Sequence, residues 1–281
     1  MRLFILTLLA MIAFAGNSLL CRLALKRNTI DAASFTFIRI FSGAVALWLI
    51  VKIRKGASPK AGSWISALAL FAYAAAFSFA YISLSAGTGA LLLFAAVQAS
   101  MILWGLYKGE RLRTRQWLGL ALAVAGLVAL LFPGLSAPPI KGALLMLCAG
   151  IAWGFYSLRG KGAGDPVTTT AGNFLRAAVL ATVLSIALFP WARLDRAGLG
   201  YAALSGAIAS GVGYVIWYSA LPGLKAASAA TVQLSVPVLA AAGGILFLGE
   251  SITLRYLLAS IAVLGGIALV VTVSARVVPP D

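Results

Sequence analysis

Chemistry in a protein needs groups that move protons, bind metals or attack electrophiles, and this chain of 281 residues holds few of them. It has no His, two Cys, and six Asp plus Glu against 22 Lys plus Arg, for a net charge of +16. Asp31, Asp165, Asp195 and Asp281 fall in connections or the tail, and Glu110 and Glu250 fall at helix ends. No carboxylate lies within a long apolar run. An acid–base enzyme has almost nothing to work with, and a carrier that relays protons through a buried acid lacks its usual group. Cys21 and Cys148 sit in apolar runs without metal-ligand spacing and read as packing residues rather than as a disulfide. The expectation is no catalytic residue, no metal and no cofactor.

What remains is a set of polar and aromatic side chains inside apolar surroundings. Arg39 and Arg176, 137 positions apart, each lie about seven residues inside an apolar run. They read either as gate or substrate-carboxylate contacts, or as snorkelling side chains bonded to helix-end carbonyls. Pro237 is the only proline well inside a run. Its missing N–H frees the carbonyl of Gln233, so Pro237 reads as a hinge with a polar group at its level, or Gln233 as interhelical packing glue. Gln98, beside Val97, occupies the matching place in the first half. Tyr73, Phe77 and Tyr81 recur every four residues, as do Tyr214 and Tyr218, and Trp153 and Tyr156 are three apart. Tyr73, Phe77, Trp153, Tyr156 and Tyr214 suit a cavity wall or helix packing, whereas Tyr81 and Tyr218, near run ends, suit an interfacial belt. Asn17, beside Gly16, reads as facing protein or a wet cavity.

The elements that position these groups follow from composition. The chain is 62% hydrophobic and 10% charged, which places it in the membrane class. Between Lys60 and Lys108 stand 47 consecutive uncharged residues, enough for two spans of about 20. Ten spans are predicted, near 3–21, 32–51, 62–83, 88–107, 116–132, 142–158, 167–189, 198–218, 226–248 and 256–275. In lipid the backbone must satisfy itself within each segment, so they are helices. The third and fourth are divided by the weakest signal, where Gly87 and Gly89 supply turn chemistry. The start, Met1-Arg2 with an apolar run and Ala13-Phe14-Ala15, has signal-peptide features, but a retained first helix keeps the plan below intact.

That plan is a duplication. Residues from Leu84 to Leu131 match Leu224 to Val271 at an offset of 140. Gly109-Glu110 matches Gly249-Glu250, Arg115 matches Arg255 and Gly126 matches Gly266. A fixed offset implies a repeated structural unit. The first repeat is assigned to 1–134, a proline-rich linker to 135–141 and the second repeat to 142–281. Five spans per copy force the copies into opposite orientations. Counting Lys and Arg, an internal N-terminus puts 13 on the cytoplasmic side against 7 outside, so both termini are expected inside a bacterial inner membrane. The expected class is an all-α integral membrane protein of two inverted five-helix repeats. Gly109, Glu110, Gly249 and Glu250 read as structural turns, each Glu capping the helix that follows it, with a gate contact as the functional alternative. Small residues along the fifth and tenth spans, including Gly119, Gly126 and Gly266, permit close helix contact. The basic residues lie mostly in short connections rather than on one face, which excludes a nucleic-acid partner.

The turn Gly109-Glu110-Arg111-Leu112 followed by Gln116-Trp117-Leu118-Gly119, the second copy at Pro237 with Gly249-Glu250, Trp153-Gly154, and the paired Arg39 and Arg176 resemble the EamA family of the drug/metabolite transporter superfamily. The resemblance covers nearly the whole chain. It departs at Ala15-Gly16-Asn17, where a Trp-Gly pair is common, and at the fourth span, which lacks the proline. Length and helix plan are similar to those of the YddG-type amino-acid exporters. The resemblance implies a central cavity formed by spans 1, 3, 4, 6, 8 and 9 and alternating access between the halves. The expected function is export of small metabolites, first of all amino acids, aromatic and others, by a monomer or weak homodimer in the lipid bilayer. Alternatives are a carrier of the same fold for drugs, sugars or nucleotide-sugars, and a membrane channel.

Overall fold

The computed structural model describes residues 1–27, 29–54, 61–109, 111–134, 137–160, 165–224 and 226–274. Glu110, Lys161, Lys225 and Asp281 lie outside them. Among the described residues ten helices are long and apolar enough to cross a membrane. In chain order they are α1 (Arg2–Lys26), α2 (Ala32–Ile53), α3 (Trp64–Tyr81), α4 (Ala86–Tyr107), α5 (Thr114–Leu131), α6 (Ile140–Gly160) and α7 (Pro166–Ala187). The eighth span joins α8 (Arg196–Leu204) to α9 (Gly213–Ala220) through a π-helical segment, Ser205–Val212. The ninth joins α10 (Ala226–Gln233) to α11 (Ser235–Leu248), and α12 (Leu254–Ser274) is the tenth. Among the described residues there is no strand, only an isolated bridge between Ile30 and Leu194.

Local chemistry explains the ends. Asp31, Ser63, Ser85, Asp165 and Asp195 cap the helices that follow them, their side-chain oxygens accepting backbone N–H bonds. Asp31 is partly buried, which by itself raises its pKa. Bonds from Ser34, Ala33 and Arg193 outweigh that and hold the carboxyl below its usual value. At Asp165 the Thr168 hydroxyl is the main cause of a similar lowering. Gly249 closes α11 with φ 61, a left-handed conformation that glycine adopts without a Cβ clash. The ninth span breaks at Leu234, three residues before the buried Pro237.

Two expectations about turns are corrected. Gly87 and Gly89 lie inside α4 rather than in the turn, which residues 82–85 make instead. Their small size serves contact: a Cβ on Gly89 would stand 2.4 Å from the Tyr81 ring, and one on Gly87 2.8 Å from the Ala241 Cβ. Tyr81 in turn is fully buried, not part of an interfacial belt, and its hydroxyl donates to the Ala86 carbonyl at 3.2 Å. A tyrosine near a span end can face either headgroups or a neighbouring helix, and only the rotation of α3 decides which.

α3, α4 and the eighth span are the most buried of these helices, and α5 and α12 pack against each other. There Gly119 and Gly266 face across a close crossing. A Cβ on Gly266 would lie 2.4 Å from the Gly119 carbonyl oxygen, and one on Gly119 2.6 Å from that of Gly266. The Gln116 side chain donates to the Val270 carbonyl at 3.1 Å along the same seam.

Candidate functional site: a closed pocket between two helix-end networks

At the centre, a pocket is lined by Phe14, Asn17 and Ser18 of α1, Tyr73 and Phe77 of α3, Leu93 and Phe94 of α4, and Trp153 of α6. Ala209, Ser210 and Tyr214 of the eighth span and Gln233 of the ninth complete it. The wall thus comes from the first, third, fourth, sixth, eighth and ninth spans. The rings interlock: Trp153 lies 4.8 Å from Tyr73 and 5.3 Å from Tyr214, and Phe14 meets Tyr214 edge-on at 5.9 Å. The pocket encloses about 30 Å³, room for little more than a water. A site for a small metabolite needs roughly ten times that, so occupancy requires these walls to move apart.

Polar groups sit on one side of this aromatic box. Asn17 donates to the Tyr73 hydroxyl at 3.4 Å, and its side-chain oxygen accepts from Ser205. Arg39 donates to the Tyr73 hydroxyl at 2.9 Å and to Ser210 Oγ at 3.4 Å, with its guanidinium 4.7 Å from the Phe77 ring centre. Arg39 is 2% exposed and stands one layer behind the lining. Ser205 and Ser210 reach Asn17 and Arg39 together because they are five residues apart on the π-helical segment, whose hydrogen bonds run from i to i+5. Neither serine stands out by type or spacing; the available signal is the run Ser205-Gly206 through Gly211 and Gly213, since several glycines and serines within one span weaken an α-helix.

The remaining candidates fall elsewhere. Gln98 is buried on α4 but does not line the pocket. Tyr156 lines a second cavity of about 320 Å³, with Ser63, Ser66, Arg159, Thr170, Asn173 and Tyr218 among its walls. Tyr218 therefore faces a cavity. Trp153 and Tyr156 stack at 5.4 Å, and this pair stands between the two spaces. Arg176 lines neither cavity; it donates to the carbonyls of Ala61 and Gly172 at 2.9 and 2.8 Å. Asn173 accepts from the Ser63 backbone N–H at 2.8 Å, so α7 holds the start of α3.

The opposite end is also tied. Glu250 does not cap α12, the helix that follows it, where Thr253 accepts from the Tyr256 N–H instead. Its carboxylate crosses to α4 and accepts from the Ala86 N–H at 2.8 Å and from Arg22 Nε at 3.0 Å. Arg22 also donates to the carbonyls of Tyr81 and Ile82 at 3.0 Å, and Lys26 donates to that of Leu248 at 2.8 Å. One cluster thus joins the ends of α1, α3, α4 and α11. A helix N-terminus carries free N–H groups and positive potential wherever it lies, so the carboxylate serves the one within reach.

Ten membrane-length helices around a closed amphipathic pocket, with its two ends held by separate polar networks, describe a multi-pass membrane protein of the transporter class. The sequence profile of the EamA-like transporter family matches residues 1–132 and again 140–272. The chain belongs to that family, one of transporters and not of enzymes. It is 60% identical to an uncharacterised protein of Pseudomonas aeruginosa over 96% of this chain and 94% of that one. It is 29% identical to the uncharacterised transporter YwfM of Bacillus subtilis over 82% and 81% of the two chains. To the threonine/homoserine exporter RhtA of Salmonella typhimurium it is 34% identical, over 54% of this chain and 53% of that one. A crystal structure shares the fold with a TM-score of 0.68, covering 97% of this chain and 98% of its own, at 19% identity.

Proposed function

We propose that the protein is an exporter of small amino acids in a bacterial inner membrane, working by alternating access through the central pocket. One observation carries this reading: the pocket joins aromatic side chains (Phe14, Tyr73, Trp153, Tyr214) to polar ones (Asn17, Ser210, Gln233) in a space of only about 30 Å³. That suits an amphiphilic solute better than an ion, and so narrow a space suits a carrier whose walls part in turn better than a standing channel. The partial likeness to a threonine/homoserine exporter points the same way. In this reading the halves 1–134 and 142–281 are inverted repeats with both termini cytoplasmic. The cavity beside Tyr156 then opens to the cytoplasm, and the Arg22–Glu250 cluster is the outer closure. Trp153 separates vestibule from pocket, and the break at Leu234 before Pro237 lets the ninth span bend as the halves rock.

Counterflow in proteoliposomes tests it. Vesicles loaded with unlabelled threonine, homoserine or phenylalanine should accumulate the labelled compound, and vesicles loaded with sugars or cationic dyes should not. Exchange of sugars or dyes alone would refute the substrate class. Uptake that shows no trans-stimulation would refute the carrier.

A further inference from the structure

The central pocket presents donors and hides a charge. The Tyr73 oxygen accepts from Arg39 Nη2 at 2.9 Å and from Asn17 Nδ2 at 3.4 Å. Both neighbours are donors, so neither takes the phenol's own proton. Ser210 repeats the pattern, its Oγ accepting from Arg39 Nε at 3.4 Å. The acceptor oxygen of Asn17 is already held by Ser205. Two hydroxyl protons are thereby left for whatever fills the pocket, each on an oxygen polarised by a guanidinium.

Behind them no carboxylate among the described residues pairs with Arg39. Its Nη1 is buried without a partner. The carboxylates of the described residues are engaged elsewhere: Asp31 with Ala33, Ser34 and Arg193, Asp165 with Thr168, Asp195 with Gly198, and Glu250 with Arg22 and Ala86. The faces of Tyr73 and Phe77 lie 5.1 and 4.7 Å from the guanidinium carbon and offset part of the cost. A buried cation without an anion is nonetheless expensive. Its sequence twin Arg176 donates to two carbonyls instead.

The geometry points to a carboxylate on the substrate as the missing anion, received by the hydroxyls of Tyr73 and Ser210, with Arg39 a positioning residue one layer behind. This rests on the amino-acid reading above and assigns the carboxylate end of such a substrate to these two hydroxyls. The aromatic wall formed by Phe14, Trp153 and Tyr214 then faces the substrate side chain. Selectivity comes from the acid end, because a neutral ester or an amine leaves the guanidinium unpaired and the hydroxyl protons unmet.

The test is competition in counterflow by one exchanged amino acid, its methyl ester and the amine lacking the carboxyl group, repeated as thermal shifts of the purified protein. The wild type should prefer the acid by roughly 30-fold or more, as expected for a hydrogen-bonded charged group. Tyr73→Phe should cut that preference about ten-fold and leave competition by the amine unchanged. Arg39→Gln should cut it further, and Arg39→Lys should restore part of it, which a purely structural role would not produce. Equal competition by acid, ester and amine, or an unchanged preference in Tyr73→Phe, overturns the inference. If amino acids fail to exchange but the thermal shift stays selective for carboxylates, the carrier reading falls and the carboxylate site stands. If neither is seen, both fall.

Discussion

Glu250→Gln should loosen one end of the protein and leave the other intact. The carboxylate holds Arg22 at 3.0 Å and the Ala86 N–H at 2.8 Å, and the two side chains of the pair are only 14% and 11% exposed. Glutamine is nearly isosteric and keeps an acceptor for Ala86, so the change removes charge rather than packing. A hydrogen bond to a charged group is worth about 1.5–3 kcal/mol, and deleting one partner of a fully buried pair costs about 3–5 kcal/mol. With one bond retained and some exposure, a loss of about 2 kcal/mol is expected. If the cluster forms only while this end is closed, the whole loss appears as a shift of roughly 30-fold toward the open form. Ser18 reports on it: it lines the central pocket and is 2% exposed. In a background with Cys21→Ala and Cys148→Ala, a cysteine replacing Ser18 should react with an impermeant maleimide from the Glu250 side at a rate that tracks the open population. Glu250→Gln should raise that rate about 30-fold. Arg22→Gln, which also loses the bonds to the Tyr81 and Ile82 carbonyls, should raise the rate at least as much, and the double variant should add little to Arg22→Gln alone. An unchanged rate in both single variants would refute the closure. A rise from the Tyr156 side alone would show that the cluster holds some other element.

Three further outcomes are expected. Gly266→Ala should lower the melting temperature in detergent by the equivalent of about 1–3 kcal/mol, because its Cβ would meet the Gly119 carbonyl at 2.4 Å. Gly265→Ala, with nothing within 4 Å, should be close to neutral, and equal effects would refute the tight crossing. Pro237→Ala returns an N–H that can bond the Gln233 carbonyl, so it should raise thermal stability while slowing counterflow several-fold; an unchanged rate would exclude the hinge. Asp31 has a folded pKa below its ordinary 3.8. Its contribution to stability is therefore full above the unfolded value and is lost as the pH falls through the folded one. Asp31→Asn, which keeps a capping oxygen, should flatten the acid limb of stability against pH below about 4, and an identical acid limb would refute the assignment.

The sequence by itself determined the number and type of elements. Apolar runs of membrane length can satisfy their backbones only as helices, and Lys60 to Lys108 had room for two. It marked α5 and α12 as helices that pack closely, through small residues such as Gly119 and Gly266, but that they pack on each other came from the structure. Half of the twelve residues lining the central pocket, Asn17, Tyr73, Phe77, Trp153, Tyr214 and Gln233, were legible as candidates because they are polar or aromatic where lipid-facing helices are aliphatic. What only the tertiary structure decided is which helix each side chain meets. Glu250 reaches Ala86, 164 positions away, rather than its own next helix. Tyr81 turns inward, and Tyr156 and Gln98 lie off the central pocket although their residue types match its lining. Arg39 and Arg176 are matched in sequence, yet one lies buried behind hydroxyls and the other clasps carbonyls. Ser205 and Ser210 come to one face only because their segment winds as a π-helix. Hydropathy reports the average surroundings of a helix; its rotation, winding and partners are set by packing among ten helices at once, and those settings place the polar side of the pocket.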